Sequence, residues 1–192
     1  SYIISSSPEL FLRKSGDTLE SRPIKGTAPR GSSRQEDNLL RNALISSEKD
    51  NSELLMITDL IRNDLAKISI PGSVKVPDIL HCESYTNVHH LVSTVKSKAI
   101  PSYHPVQLIQ KSFPGGSITG CPKVRAVESI AYLEQRYRGI YTGSIGYFTT
   151  KGNFDFNIAI RTLTYKAPLL NLQMGGGIVI DSDPEKGFEE TL

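Results

Sequence analysis

The 192 residues carry 22 Lys and Arg against 20 Asp and Glu, a formal net charge of +2, with 38% hydrophobic and 22% charged residues. That length supports one domain with a real core, and mixed charge without a basic arm or aromatic-basic interleaving argues against nucleic acid or an anionic membrane as partner. No apolar run is long enough to span a bilayer and no charged-then-apolar leader is present, while Cys82 and Cys121 lack metal-ligand spacing; a cytoplasmic chain with two free thiols is the expectation.

The chain opens directly in the apolar Tyr2-Ile3-Ile4 and stops at Glu189-Glu190-Thr191-Leu192 without a capping signal, so it reads as an excised piece of something longer. Residues 2–5 and 10–13 pattern as short strands around Ser6-Ser7-Pro8, and 18–24 returns as a strand after the Gly16 turn. This expectation puts Glu9 and Lys25 on neighbouring legs of one antiparallel unit. Lys25 itself lies in Pro23-Ile24-Lys25-Gly26-Thr27-Ala28-Pro29-Arg30-Gly31, where proline and glycine fix the path and permit close approach of another molecule. Such an amine can be a positioned cation or, desolvated, a nucleophile; an exposed turn lysine would satisfy the same segment.

From Gln35 to Lys67 the period becomes helical. Leu39, Leu40, Ala43 and Leu44 form one stripe, and Leu54, Ile57, Leu60, Ile61 and Leu65 a second. Ser47 with Asp50 resembles a capping box and separates the two helices. Glu53 falls on the face of Ile57, Leu60 and Asp64, at the rim of the core, where a solvated boundary acid is the ordinary reading. After the Pro71-Gly72 turn, 73–76 and the β-branched 88–95 read as strands, with His89 and His90 on opposite faces. A short helix covers 105–112. The stretch FPGGSITGCPK (113–123) feeds a helix carrying Val127, Ile130, Ala131 and Leu133, and offers free amides to a small anion; it fits neither the nucleotide P-loop nor the dinucleotide fingerprint.

Residues 139–149, 155–165 and 169–174 pattern as three further strands. On 155–165 Arg161 shares a face with Asp155 and Asn157, which suits either an ion pair or an anionic ligand. Gly175-Gly176-Gly177 interrupts the last apolar run, where close approach of a ligand or of backbone compensates for the lost packing. Strands and helices mix without βαβ alternation, which predicts an α+β fold.

In collinear order, Ser7-Pro8-Glu9, PIKGTAPRG (23–31), SEKDNSELLMITDLIRNDL (47–65), HHLVSTV (89–95), FPGGSITGCPKVRAVESI (113–130), YTGSIGYF (141–148), IAIRTL (158–163) and GGGIVIDSDPEKGFEETL (175–192) resemble the chorismate-binding enzymes over essentially all 192 residues. The resemblance implies an α+β fold of mixed antiparallel sheets with flanking helices, forming one catalytic domain (1–192) that lacks the N-terminal portion and final helix of the family's longer chains. It also implies roles. Lys25 takes the place that is a nucleophile in lysine-type aminodeoxychorismate synthases and alanine in anthranilate synthases. Glu9 matches the general acid and His90 the histidine beside the leaving hydroxyl. Glu53 and Glu190 match the carboxylates that hold Mg2+. Thr119, Tyr141, Arg161, Gly175, Gly176 and Gly177 match groups around the substrate's carboxylates. The activity so implied is amination of chorismate to 4-amino-4-deoxychorismate, with ammonia from a glutamine amidotransferase partner. The alternatives are an anthranilate-forming enzyme and a chorismate-binding fragment without turnover.

Overall fold

The computed structural model describes residues 1–179, 182–189 and 191. Seven antiparallel strands form the main sheet: β2 (Leu10–Ser15), β3 (Thr18–Arg22), β4 (Ile24–Pro29), β5 (Lys75–Ser84), β6 (Val88–Lys98), β7 (Gly146–Phe148) and β8 (Phe154–Asn157). A second sheet has the order β1 (Tyr2–Ser5), β9 (Thr162–Lys166), β10 (Leu169–Leu172). Among the described residues five α-helices accompany them: α1 (Arg34–Ile45), α2 (Glu48–Ala66), α3 (Pro105–Ser112), α4 (Lys123–Glu134) and α5 (Pro184–Glu189). The α+β expectation is met.

The centre of the sheet is β6. Its residues from His89 to Val95 are all buried, as expected of a β-branched run covered on both faces. The strands β3 and β4 run along one edge of β6 in continuous register, Ser21 opposite Val95 and Ile24 opposite Val92. Pro23 divides them because it has no N–H to give the ladder, although its carbonyl still accepts from Ser93 N at 3.2 Å. Since β5 pairs with the same stretch of β6, it takes the opposite edge.

Helix α2 packs its apolar stripe on this sheet. Ile57, Ile61 and Leu65 join Phe11, Leu12, Leu19, Val95, Leu108, Phe154 and Ile158 in one buried cluster. Each such side chain contributes about 1.5–3 kcal/mol by leaving water, so this contact fixes the helix on the strands. The Ser47 side chain caps α2 by accepting from Asp50 N at 3.3 Å. The sequence also leads to a wider apolar stripe on α1 than the fold uses: Leu44 is buried but Leu39 is 65% exposed, because α1 touches only the β4–β6 edge of the sheet. Likewise α4 has no buried residue, and its apolar face, with Val127 and Leu133, remains exposed.

The strands expected at 2–5 and 10–13 are present and belong to different sheets, β1 pairing with β9 and β2 with β3 and β8. Two other strand expectations are corrected. The stretch 139–149 is a strand only at 146–148; Gly139 and Thr142 turn the chain before it with φ of 62° and 60°. The stretch 155–165 breaks at 158–161, where the chain passes from the main sheet to the second and buries Ile158 and Ala159 on the way. Among the described residues no helix is long and apolar enough to cross a membrane.

Candidate active site

Glu9 and Lys25 are neighbours, though not on paired strands. Leu10 lies opposite Arg22, so Glu9 stands at the Pro23 end of β3, just before Lys25 on β4. The Glu9 carbonyl accepts from Ile158 N at 3.0 Å, which fixes the residue where the chain crosses between sheets. Its side chain is only 6% exposed. Burial raises the carboxyl pKa to about 7, opposed by a hydrogen bond from Ser117 and by the Lys25 charge. The result is a carboxyl poised to exchange a proton near neutral pH.

Lys25 Nζ lies 2.9 Å from Glu53 Oε1, with the two side chains 19% and 13% exposed. Glu53 reaches it from the first half of α2, above the stripe that docks the helix. The Gly177 backbone lies directly over both: a Cβ there would overlap Glu53 Oε1 and come within 3.1 Å of Lys25 Nζ. Gly175 has the same relation to Tyr141, its added Cβ falling 2.8 Å from the phenol oxygen. The triple glycine is crowded at Gly175 and Gly177, which flank Gly176, but by the Tyr141, Glu53 and Lys25 side chains and not by a ligand or backbone. Burial raises the Tyr141 pKa, and the Arg138 guanidinium sits 5.8 Å from its ring centre. This segment 175–179 carries no strand ladder among the described residues.

A β-bulge at Gly26, with φ of 74°, displaces the register between Lys25 and Thr27. A Cβ at Gly26 would stand 2.9 Å from Leu44 Cδ1 and 3.0 Å from Asp50 Cγ, so only glycine lets the two helices close on β4 here. Beyond the bulge Thr27 pairs with His90, whose Nδ1 meets the Thr27 hydroxyl at 2.9 Å. Burial and the Arg161 charge depress the His90 pKa, against hydrogen bonding to the Gly26 backbone and the Glu83 charge. His89 faces elsewhere: it is fully buried, bonded to Ser84 Oγ at 2.8 Å and Asp37 Oδ1 at 3.0 Å. His89 thus holds the sheet to α1 and stays out of the site.

Arg161 is not in mid-strand. It is exposed, in the crossover between β8 and β9, with φ of 47°. The crossover needs that turn because Ile158 and Ala159 must enter the core before the second sheet begins. Its guanidinium is nonetheless close enough to His90 to shift it. The Thr119 hydroxyl donates to Gly115 O at 3.0 Å and Gly116 O at 3.3 Å within its own loop. Glu190 lies outside the described residues.

The glycine-rich loop differs from its anion-cradle expectation at its first half. Gly115 and Gly116 press on the core, where a Cβ would meet Ile158 Cδ1 at 2.8 Å and Leu60 Cδ2 at 2.9 Å. Lys123 ties the loop to α2, its Nζ donating to Asp64 Oδ2 at 2.5 Å and Pro114 O at 2.8 Å. Ser117 and Thr27 are site residues that sequence reasoning missed. Nothing in their spacing distinguishes them, since their roles arise from contacts across the sheet.

Among the described residues no three His, Cys, Asp or Glu side chains converge as a metal cluster. Glu53 supplies one hard oxygen donor, of the type that suits Mg2+, which takes few protein carboxylates. The arrangement as a whole joins a buried carboxyl, an amine, a second carboxylate and a depressed histidine around glycine backbone, with arginine at its edge. It can hold an anionic substrate and move protons at neutral pH.

Comparison with known proteins shows similarity along the whole chain. The chorismate binding enzyme family profile matches residues 1–192. The aminodeoxychorismate synthase component 1 of Salmonella typhimurium is 47% identical over 190 residues, covering 99% of this chain and 42% of that protein. Anthranilate synthase component 1 of Saccharolobus solfataricus is 44% identical over 190 residues, covering 99% of this chain and 45% of that one. The crystal structure of anthranilate synthase component I from Streptococcus pneumoniae superposes with a TM-score of 0.87 at 36% identity, covering 98% of this chain and 41% of that chain. The chain thus spans less than half the length of each of these relatives. On the family match over residues 1–192, it belongs to the chorismate binding enzymes.

Proposed function

We propose that this chain is the chorismate-converting part of an aminodeoxychorismate synthase. The single observation that carries the reading is the cluster of Lys25, Glu53 and Gly177, with Lys25 also acting electrostatically on the buried acid Glu9. An alanine in place of Lys25 would leave Glu9 and Glu53 with no amine between them.

In this reading Lys25 gives up its proton to water as it leaves Glu53, and its nitrogen, now carrying a lone pair, bonds to the ring carbon beside the one bearing the carboxylate. The ring double bonds shift, the carbon–oxygen bond to the hydroxyl breaks, and the Glu9 proton leaves with that oxygen as water. His90, kept neutral by burial, orients the departing hydroxyl. Ammonia then bonds where the hydroxyl stood, the double bonds shift back, and Lys25 departs with its electron pair. The new ammonium returns one proton to Glu9. The sum is chorismate plus ammonia to 4-amino-4-deoxychorismate plus water, the ammonia coming from a glutamine amidotransferase component. Arg161, Tyr141 and the amides of 175–177 hold the carboxylates, and Thr119 closes the adjoining loop. Glu53 and Glu190 would hold Mg2+, which when bound offsets the charge of the ring carboxylate.

The test is incubation with chorismate, ammonium and Mg2+. Formation of 4-amino-4-deoxychorismate supports the reading. Chorismate without ammonia should leave a covalent adduct on Lys25, seen as a mass increase of the intact chain, and Lys25→Ala should abolish it. The 44% identity to an anthranilate synthase favours a second reading. Anthranilate and pyruvate as products would establish that one instead. Turnover by Lys25→Ala at the parent rate would remove the nucleophile role.

A further inference from the structure

We propose that Tyr85 is the positioning residue of His90, held against the imidazole by the turn that joins β5 to β6. The proposal rests on the reading of His90 as the histidine beside the departing hydroxyl. The Tyr85 ring meets the His90 ring edge-on, with centroids 5.8 Å apart and planes at 62°. His90 is only 4% exposed, whereas Tyr85 is 47% exposed, so the phenol ring has one side on the imidazole and the other in water. It is a wall between the two. From β4 the Thr27 hydroxyl meets His90 Nδ1 at 2.9 Å. The imidazole is thus held by a hydrogen bond from one neighbouring strand and by an aromatic contact from the turn beyond the other. An edge-on contact restricts how the smaller ring can tilt, which a hydrogen bond at one nitrogen does not do alone.

A half-exposed residue on a hairpin turn ordinarily moves freely, but Tyr85 is tied at three points. Its N–H donates to Val88 O at 2.8 Å, closing the turn. Its carbonyl accepts from Arg30 Nη1, and its hydroxyl donates to Glu83 Oε2 at 2.6 Å. Both partners are themselves anchored. Arg30 is forked onto Asp37 at 2.7 and 2.9 Å, and Asp37 also meets the fully buried His89 at 3.0 Å. His89 in turn meets Ser84, the residue before Tyr85, at 2.8 Å. Glu83 stands across the ladder from His90 and takes Arg22 and His81 on its other oxygen. Arg30 and His89, which the proposed chemistry does not use, therefore have a task in fixing Tyr85. The charged and titratable groups around His90 are Glu83 with Arg22 and His81 behind it, Tyr85 on the turn, and Arg161 from the crossover. Lys25, beyond the bulge on β4, is paired with Glu53. Burial is the larger cause of the lowered His90 pKa, so opening the imidazole to water raises it.

The experiment is 15N NMR of the imidazoles in the whole chain, with the His90 signals identified through His90→Gln, alongside turnover of chorismate with ammonium and Mg2+. Tyr85→Ala should shift the His90 ring nitrogens toward a tautomer-averaged imidazole and move the His90 midpoint up toward the ordinary histidine range. The melting temperature should stay at the parent value, because the side chain is half in water already. The expected fall in kcat is roughly two- to tenfold, the range that an edge-on ring contact supplies, with KM little changed. Tyr85→Phe keeps the ring and should return the His90 signals and kcat to parent values. Parent His90 signals in Tyr85→Ala, or a Tyr85→Phe variant as displaced as Tyr85→Ala, overturns the proposal. The role of His90 is judged separately by His90→Gln: full turnover there removes that role, whereas the 15N signals still report whether Tyr85 fixes the ring.

Discussion

Lys25 Nζ and Glu53 Oε1 stand 2.9 Å apart, joining β4 to α2 with both side chains largely shielded from water. Removing one partner of such a pair leaves the other charge without its counterpart. Lys25→Met and Glu53→Gln should each lower stability, and the double variant should lose less than the two together. The coupling expected from denaturant titration of the full cycle is about 1–3 kcal/mol. Strictly additive losses would mean that the two groups do not sense each other. Glu53→Gln should in addition abolish turnover and weaken binding of Mn2+, used as a paramagnetic probe for Mg2+, in electron paramagnetic resonance titrations.

Gly177→Ala places a methyl group where Glu53 Oε1 lies and 3.1 Å from Lys25 Nζ. The pair has to separate or the 175–179 segment has to lift. Turnover should fall by at least about tenfold, equivalent to about 1.4 kcal/mol of transition-state stabilisation. Global stability should change little, because this segment has no ladder to lose among the described residues. An active Gly177→Ala variant with parent KM would show that the backbone at this position does not line the site.

Glu9 makes stability depend on pH in the direction opposite to a salt-bridged acid. Its pKa is raised in the fold from 4.5 to about 7. Its contribution is therefore fully present below pH 4.5 and is lost as pH rises through 7, where the buried group must ionise. Glu9→Gln should be more stable than the parent at pH 8 and show no such gain near pH 4.5. The difference between the two conditions is on the order of 3 kcal/mol at most, by the free-energy equivalent of the shift. Parallel stability curves for parent and variant across pH 4.5–8 would contradict the raised pKa.

Arg161 is exposed, sits at φ of 47°, and makes no ion pair with a described residue. In the proposed function it holds a substrate carboxylate. Arg161→Ala should weaken apparent chorismate affinity by roughly ten- to a hundredfold, the equivalent of one charge-assisted contact to a carboxylate. Arg161→Gly should do the same while gaining up to about 1 kcal/mol of stability from relief of the left-handed backbone. Parent affinity in both variants would assign Arg161 to the surface.

The sequence by itself determined the two helices after Gln35, the buried run at 88–95, and the opposed faces of His89 and His90. These follow from local periodicity, which a chain carries wherever it folds. Its collinear motifs also named Glu9, Lys25, Glu53 and His90 together. Only the tertiary structure decided how they meet. Residues 2–5 and 10–13 look alike in isolation, yet β1 and β2 belong to different sheets, because strand pairing depends on partners more than a hundred residues away. Arg161 reads as mid-strand by alternation, but the change of sheet at 158–161 overrides alternation by drawing Ile158 and Ala159 into the core. Ser117 was illegible for the same reason. The loop that carries it is set by Gly115 and Gly116 fitting against Ile158 and Leu60, and packing of that kind has no period in the sequence.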